Sequence, residues 1–339
     1  MPKLRVGVLY DGWDDGAENA AEDKAPRRKR RPVKEDHEEI HAALKKLGHD
    51  PFYHVLDGTP STLHVLAEQR ADLYFNLTES YAGDDTKEMN VAAYLELLGR
   101  RFTGTGSHGL YLAQDKALAK KIFAFHGIRT PYFMTGFRGR LDWAHDIHFP
   151  VIVKPALEDG SIGIRFSAVV GSLKELMERI DEVHAQFDAP VLIEEYIDGR
   201  EIYVAVLGNR NPEALEIVEL DLSQLPEGTP RIAGTEVKWE EGTAIYRKSQ
   251  PFFPDDLSED TERTLKETAC AAYQALKLRD YGRIDIRLDA QGSAHVIEVN
   301  PNPWLLSTAE FAKAAKKTGR QHCQLIGEIV ELAMSRYGA

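Results

Sequence analysis

Cysteine is almost missing from this chain of 339 residues: Cys270 and Cys323 are the whole supply. They lie far apart in segments that read as helices, which excludes a disulfide framework and a thiolate metal cluster and suits a reducing compartment. Positive charge is also short, with 42 Lys and Arg against 54 Asp and Glu and a net charge of −12, so nonspecific binding to nucleic acid is not expected. No run approaches the roughly 20 apolar residues of a membrane span. The first ten residues lack the apolar stretch and cleavage site of a secretion signal, and the expectation is a cytoplasmic protein with no membrane or nucleic-acid partner. Neither a Gly-x-Ser-x-Gly elbow nor a Walker A loop occurs. Serine nucleophilic catalysis and P-loop chemistry lose their support.

What is present is a packed globule, 43% hydrophobic and 9% aromatic, long enough for two or three domains of about 100 to 200 residues each. Leu4 to Tyr10 reads as a buried strand. His37 to Leu47 has helical spacing, with Ile40, Ala43, Leu44 and Leu47 on one stripe. Phe52 to Leu56, Leu73 to Leu77 and Val91 to Leu98 continue the alternation expected of an open α/β sheet domain over residues 1–113. Between the first strand and helix lies a polar insertion, Asp11 to Lys34, with the basic run Arg27 to Arg31. It reads as a solvated loop in preference to a targeting tag or an anion-binding arm.

A helix over Gln114 to Phe125, strands at Phe149 to Lys154 and Val191 to Tyr196, and an amphipathic helix over Leu173 to Phe187 make a second, α+β unit over 114–200. A third, over 201–339, opens with a strand from Glu201 to Leu207. An irregular stretch with Pro212, Pro226, Pro230 and Gly242 follows, then a helix from Leu257 to Leu276, two strands, and closing helices Thr308 to Lys317 and Gln321 to Tyr337.

The two strands, Arg283 to Asp289 and Ala294 to Asn300, read as a hairpin. Alternation puts Arg283, Asp285 and Arg287 on one face and Ile284, Ile286 and Leu288 on a core face. A register in which paired numbers sum to 583 sets Asp289 against Ala294, Asp285 against Glu298 and Arg283 against Asn300. Directly opposed carboxylates repel unless a cation sits between them, and two carboxylates with a carboxamide suit Mg²⁺, or Mn²⁺ in its place, carrying phosphates. The competing reading is an exposed hairpin whose Arg283 and Arg287 neutralise Asp285 and Glu298 in surface ion pairs. The run Asn300-Pro-Asn-Pro-Trp304 favours the metal, because two prolines fix an irregular backbone beside it.

Elsewhere, a strand ending in Lys154-Pro155 is followed by a loop containing Gly160, Ser161 and Gly163, whose amides could cradle phosphate oxygens while Lys154 supplies charge. Glu194-Glu195-Tyr-Ile197-Asp-Gly-Arg-Glu201 offers acceptors for an adenine amino group and ribose hydroxyls, or is a plain turn. Lys116 and Lys238, taken singly, are solvated amines or phosphate ligands.

In order, Asp115-Lys116, Gly127 to Pro131, Lys154-Pro155 with Gly160 to Ile164, Glu194 to Glu201, Lys238, and Arg283 through Asn300 resemble the ATP-grasp carboxylate-amine ligases, with greatest likeness to the D-alanyl-D-alanine ligase family from about Leu73 onward. The resemblance implies two lobes clasping ATP behind an N-terminal α/β domain, an acyl-phosphate mechanism on small-molecule carboxylate and amine substrates, and a homodimer. By matching positions, it implies that Lys116 and Lys154 hold the α and β phosphates. Glu194 and Ile197 would meet adenine, with Glu195 beside them, and Glu201 the ribose. Lys238 would contact the transferred phosphate, Asp285, Glu298 and Asn300 would ligate Mg²⁺, and Arg283 would steady the tetrahedral intermediate.

The substrate half departs from that pattern. Trp304 stands where the family's oxyanion glycine is expected, and Ala309-Glu310 where a Ser-Leu pair receives the second substrate's carboxylate. Gly160 replaces a substrate-positioning serine and Trp239 a tyrosine, and the N-terminal Ser-x-Glu signature is missing. A carboxylate at Glu310 repels an amino-acid carboxylate, so an acceptor other than free D-alanine is expected. Asn76 and Glu79 are candidate contacts to the first substrate, or capping groups at a strand end. The alternatives are D-alanyl-D-alanine ligase itself and a nonenzymatic nucleotide-binding regulator.

Overall fold

The computed structural model describes residues 2–12, 36–137, 140–143, 148–158, 160–187 and 189–338, and the basic run Arg27 to Arg31 and Asp159 lie outside these. The first apolar runs form β1 (Arg5–Asp11), β2 (Asp50–Leu56) and β3 (Leu73–Asn76), a parallel sheet in the order β2-β1-β3. Parallel neighbours need crossovers, supplied in part by α1 (Asp36–Lys46) and by α2 (Pro60–Glu68), a helix the sequence reading did not name. On α1, Ile40, Ala43 and Leu44 are buried as expected, whereas Leu47 is left exposed just past the helix end.

After α3 (Glu88–Leu97) come α4 (Ser107–Gln114) and α5 (Lys116–Phe125). The single helix expected from Gln114 is in fact broken at Asp115. The Asp115 carboxylate caps α5 by accepting from the Leu118 amide at 2.9 Å, a stronger local preference than helix continuation.

The second sheet is antiparallel, in the order β5-β4-β8-β6-β7. Its strands are β4 (Phe133–Phe137), β5 (Arg140–Trp143), β6 (Val151–Pro155), β7 (Val169–Val170) and β8 (Val191–Glu195), and α6 (Leu173–Phe187) packs Val183 onto Val151, Val153, Val191 and Ile193.

The third sheet runs β11-β10-β9-β12-β13, from β9 (Gly199–Leu207), β10 (Glu213–Leu220), β11 (Pro251–Phe252), β12 (Tyr281–Asp289) and β13 (Ala294–Asn300). The stretch expected to be irregular therefore holds a strand, β10, two short helices, α7 (Thr235–Lys238) and α8 (Ala244–Lys248), and the short strand β11. The remaining helices are α9 (Glu259–Ala275), α10 (Glu310–Lys317) and α11 (His322–Arg336).

Alternating side chains let β9 and β12 feed two cores. Ile202, Val204, Ile284 and Ile286 meet Leu265, Ala269 and Tyr273 of α9. On the other face Tyr203, Ala205 and Leu207 share a core with Phe311 and Ala315 of α10, and that core continues into Val6, Val8, Ile40 and Leu44 of the first sheet and Ile326 and Val330 of α11.

The hairpin pairs Arg283 with Asn300 and Asp285 with Glu298, as the sequence suggests. Its far end differs. The register shifts after Asp285, so that Ile286 pairs with Val296 and Leu288 with Ala294. Asp289 does not pair with Ala294 because its carboxylate accepts from the Gln291 and Ser293 amides at 2.9 and 2.8 Å. That turn closes one residue early, and a bulge at Ile297 absorbs the difference.

Candidate active site

Strand alternation carries Tyr203, Arg283, Asp285, Glu298 and Asn300 to one face of the third sheet, since β12 lies between β9 and β13 and pairs Asp285 with Tyr203 on one side and Glu298 on the other. Arg283 grips Asp285 through two hydrogen bonds of 2.7 and 2.9 Å and lies over the Tyr203 ring, 4.8 Å from its centroid. Burial works against the Arg283 charge, but Asp285 and Glu310 more than offset it and hold the guanidinium firmly protonated. Glu298 takes a different cation: Lys116 Nζ lies 2.6 Å from its carboxylate and donates to the Glu158 carbonyl at 2.6 Å. The surface pairing of Arg287 with Glu298 is therefore not what forms. Arg287 is buried, donating to the Glu201 carboxylate at 2.7 Å and to the Ile197 carbonyl at 3.1 Å.

A second charged group is deeper. Glu194 is 1% exposed and lies 2.5 Å from both Lys154 Nζ and Lys120 Nζ, one on each carboxylate oxygen. Burial pushes the Glu194 pKa up, and the two lysines pull it down further, leaving it below the usual carboxylate range. Burial pushes Lys120 down to about 8 against the pull of Glu194, with the Lys154 charge adding to the fall. Lys120 also donates to Thr130 Oγ1 and to the carbonyl of Ile297 at the bulge. Sequence reasoning missed Lys120. Its signal is the position four residues after Lys116, on the helix face that buries Ala117, Ala119 and Phe123.

The glycine loop is docked and not splayed. Gly160 and Ser161 both take left-handed backbone, at φ 61 for each, and the Ser161 hydroxyl donates to the Ala233 carbonyl at 2.8 Å. A Cβ at Gly163 would stand 2.7 Å from the Phe187 ring. The Trp239 indole donates to the Gly160 carbonyl at 2.8 Å and meets Trp304 edge-on, with ring centroids 5.6 Å apart. The residue that replaces the expected tyrosine therefore ties the loop to the Lys238 segment.

These walls enclose a cavity of about 380 Å³, lined among others by Glu79, Gly160, Lys238, Arg283, Asn300, Trp304 and Glu310. Lys116, Lys154, Glu194 and Glu201 lie outside its lining, as do Ile197 and Glu195, whose carboxylate meets the Tyr132 amide at 3.5 Å. Asn76 does not join the cavity either: it is buried and its Oδ1 accepts from the Thr78 hydroxyl at 2.8 Å. Asn302, unnoticed in the sequence, links the site to the first sheet by donating to the Thr78 carbonyl while accepting from Tyr281.

The donor set fits a hard divalent ion. Asp285 and Glu298 are cross-strand neighbours, each beside a cation, and the Asn300 carboxamide nitrogen is buried with no hydrogen-bond partner. Among the described residues no group of three His, Cys, Asp or Glu forms a metal cluster, so the third oxygen would come from Asn300.

Residues 138–331 match the family described as D-ala D-ala ligase C-terminus, which is more than half the chain. The chain belongs to that family. The ligase is 33% identical to the D-alanine–D-alanine ligase of Halalkalibacterium halodurans, with 88% of this chain and 92% of that one covered. It is 32% identical to the Bordetella petrii enzyme of the same name, covering 87% and 85%. An uncharacterised protein of Sinorhizobium fredii is also 32% identical, over 87% of this chain and 86% of its own length. The fold matches the crystal structure of D-alanine–D-alanine ligase from Bacillus anthracis complexed with ATP at a TM-score of 0.72, with 98% of both chains covered and 21% identity.

The ligase is thus an ATP-dependent enzyme that forms carbon–nitrogen bonds between small molecules, which sets aside the nonenzymatic regulator. Among the described residues no helix is long and apolar enough to cross a membrane.

Proposed function

We propose that this ligase joins a carboxylate to an amine through an acyl phosphate, and that its acceptor is not free D-alanine. The observation that carries the second part is Glu310 on the cavity wall, close enough to Arg283 to strengthen the guanidinium's charge. A substrate carboxylate arriving there would meet a fixed negative charge.

In this reading the domains divide near residues 113 and 200, and ATP lies between the second and third sheets. Lys116 turns from Glu298 toward the phosphates, and Lys154 presents its charge to them while held by Glu194. Both Glu194 oxygens face lysines, so Glu194 fixes Lys154 and adenine is read chiefly by the backbone near Ile197, with Glu201 at the ribose. Asp285, Glu298 and Asn300 would hold Mg²⁺ or Mn²⁺, which when bound offsets the charge of the phosphate oxygens.

The donor carboxylate attacks the γ-phosphorus and the bond to ADP breaks, with Lys238 on the transferred group. The acceptor nitrogen then attacks the acyl carbon, the bond to phosphate breaks, phosphate leaves with the electron pair, and the nitrogen loses its proton. Arg283 donates to the oxygen that gains charge, while the Trp239-anchored loop keeps water out. The family resemblance also implies a cytoplasmic homodimer, for which Leu97 and Phe125, each 86% exposed, supply apolar surface.

The test is phosphate release over paired amino acids, amines and dipeptides, with mass detection of condensed products. Amide formation with an acceptor other than D-alanine is the expected result. The named relatives favour a second reading, D-alanine–D-alanine ligase itself, and D-alanyl-D-alanine as the best product would establish that reading instead.

A further inference from the structure

The cavity beside Arg283 offers the acceptor more than a repelling charge. Two residues of its wall carry buried hydroxyls without partners. Tyr203 and Ser249 each are 4% exposed, both line the cavity, and neither hydroxyl makes a hydrogen bond. A buried hydroxyl left unmatched costs on the order of 1 to 3 kcal/mol, so a small side-chain shift that let either meet a ligand's polar atom would be favourable. Hydroxyls accept as well as donate, and the surrounding charge decides which they do here.

Beside Glu310 that charge favours a cation. Glu79, Glu241 and Glu310 stand in the lining against Lys238, Arg283 and Lys313, but Arg283 is already held by both oxygens of Asp285. Glu310 makes no ion pair or side-chain hydrogen bond among the described residues. Trp239, Trp304 and Tyr246 supply aromatic surface to the same space, and ring faces attract ammonium groups. The Trp239 and Trp304 planes meet at 60°, which makes a corner for a compact group and not a slot for a flat one.

We infer that the acceptor is an amine carrying a second, protonated nitrogen, a short diamine in its simplest form. Its nucleophilic nitrogen reaches the acyl carbon beside Arg283, and its ammonium is held by Glu310 with the Tyr203 and Ser249 oxygens accepting. This inference rests on the ligase reading above and names the substrate class of the same site.

The test separates the two. Full-length enzyme with ATP and Mg²⁺ is first given a panel of carboxylates and hydroxylamine, a small uncharged nucleophile that converts any acyl phosphate to a hydroxamate whatever the acceptor pocket prefers. With each donor that yields hydroxamate, kcat/KM is then compared for ethylenediamine, 1,3-diaminopropane, ethanolamine, glycine and D-alanine. The diamines should exceed ethanolamine and both amino acids by about tenfold or more, and Glu310→Gln should reduce that preference to about twofold or less, chiefly through KM. Glu241→Gln, on an exposed side chain, should reduce it less and provides a second reading should the first variant fold poorly. Amide formation with glycine or D-alanine equal to or better than with the diamines overturns the acceptor assignment alone, as does an undiminished preference in Glu310→Gln, or in Glu241→Gln if the first variant does not fold. No hydroxamate from any donor overturns the ligase reading and the acceptor assignment with it.

Discussion

Two arrangements of opposed charge sit in this molecule and behave differently. Glu194 with Lys120 and Lys154 is sealed, each of the three at most 3% exposed. On the hairpin, Asp285 meets Arg283 and Glu298 meets Lys116, and Arg283 opens onto a cavity. The sealed group has two cations for one carboxylate and no outlet, so it behaves as scaffold and fixes where Lys154 can point. Under the proposed function the hairpin pairs are exchangeable: Arg283 and Asn300 line the cavity, and a metal ion reaching Asp285 and Glu298 from it would replace one cation with another. Burial alone does not mark a functional charge; access to a second partner does.

The difference can be broken from the sealed side first. Glu194→Gln strands two buried ammonium groups and should lower unfolding free energy by about 3 to 5 kcal/mol in urea titrations. Asp285→Ala, on the exchangeable side, should cut ATP-dependent phosphate release by about a hundredfold. A variant retaining full turnover would remove Asp285 from the metal site.

A pH experiment sharpens the contrast. Lys120 titrates near 8 when folded and 10.5 when unfolded, so between those values the unfolded chain holds a proton the folded chain has lost. This term therefore makes stability rise with pH across that window, by on the order of 2 kcal/mol. Lys120→Met should flatten the rise in urea titrations at pH 8 and 10. The smallest effect is expected at the loop: Trp239→Phe deletes one hydrogen bond to Gly160, worth about 1 kcal/mol, and should raise phosphate release uncoupled from amide formation by about fivefold.

The exchangeable side was the more legible of the two in the amino-acid sequence. Period-two alternation and a short turn placed Asp285 against Glu298 without any structure, because side-chain direction in a strand is fixed by parity. The bulge at Ile297 was not readable, since it depends on Asp289 capturing amides across the turn and on Thr130 and Lys120 taking the carbonyls of Val296 and Ile297 from another unit. Lys120 escaped notice for the same reason: a lysine on an amphipathic helix is normally solvated, and only tertiary packing reveals Glu194 beside it. Strand β10 was lost behind Pro212 and its interspersed glutamates, which mimic a solvated stretch until Glu219 pairs with Arg200 at the sheet surface.

The core that runs from β1 through β9 to α11 has a consequence for biogenesis. Leu4, Val6 and Ile40 share it with Ile326, Val330 and Met334, and α1 packs directly on α11. A nascent chain emerging from the ribosome can pair β1 with β2 early, but it cannot dry that sheet's inner face until α11 has been translated. Until then β1 and α1 must wait, shielded or chaperoned.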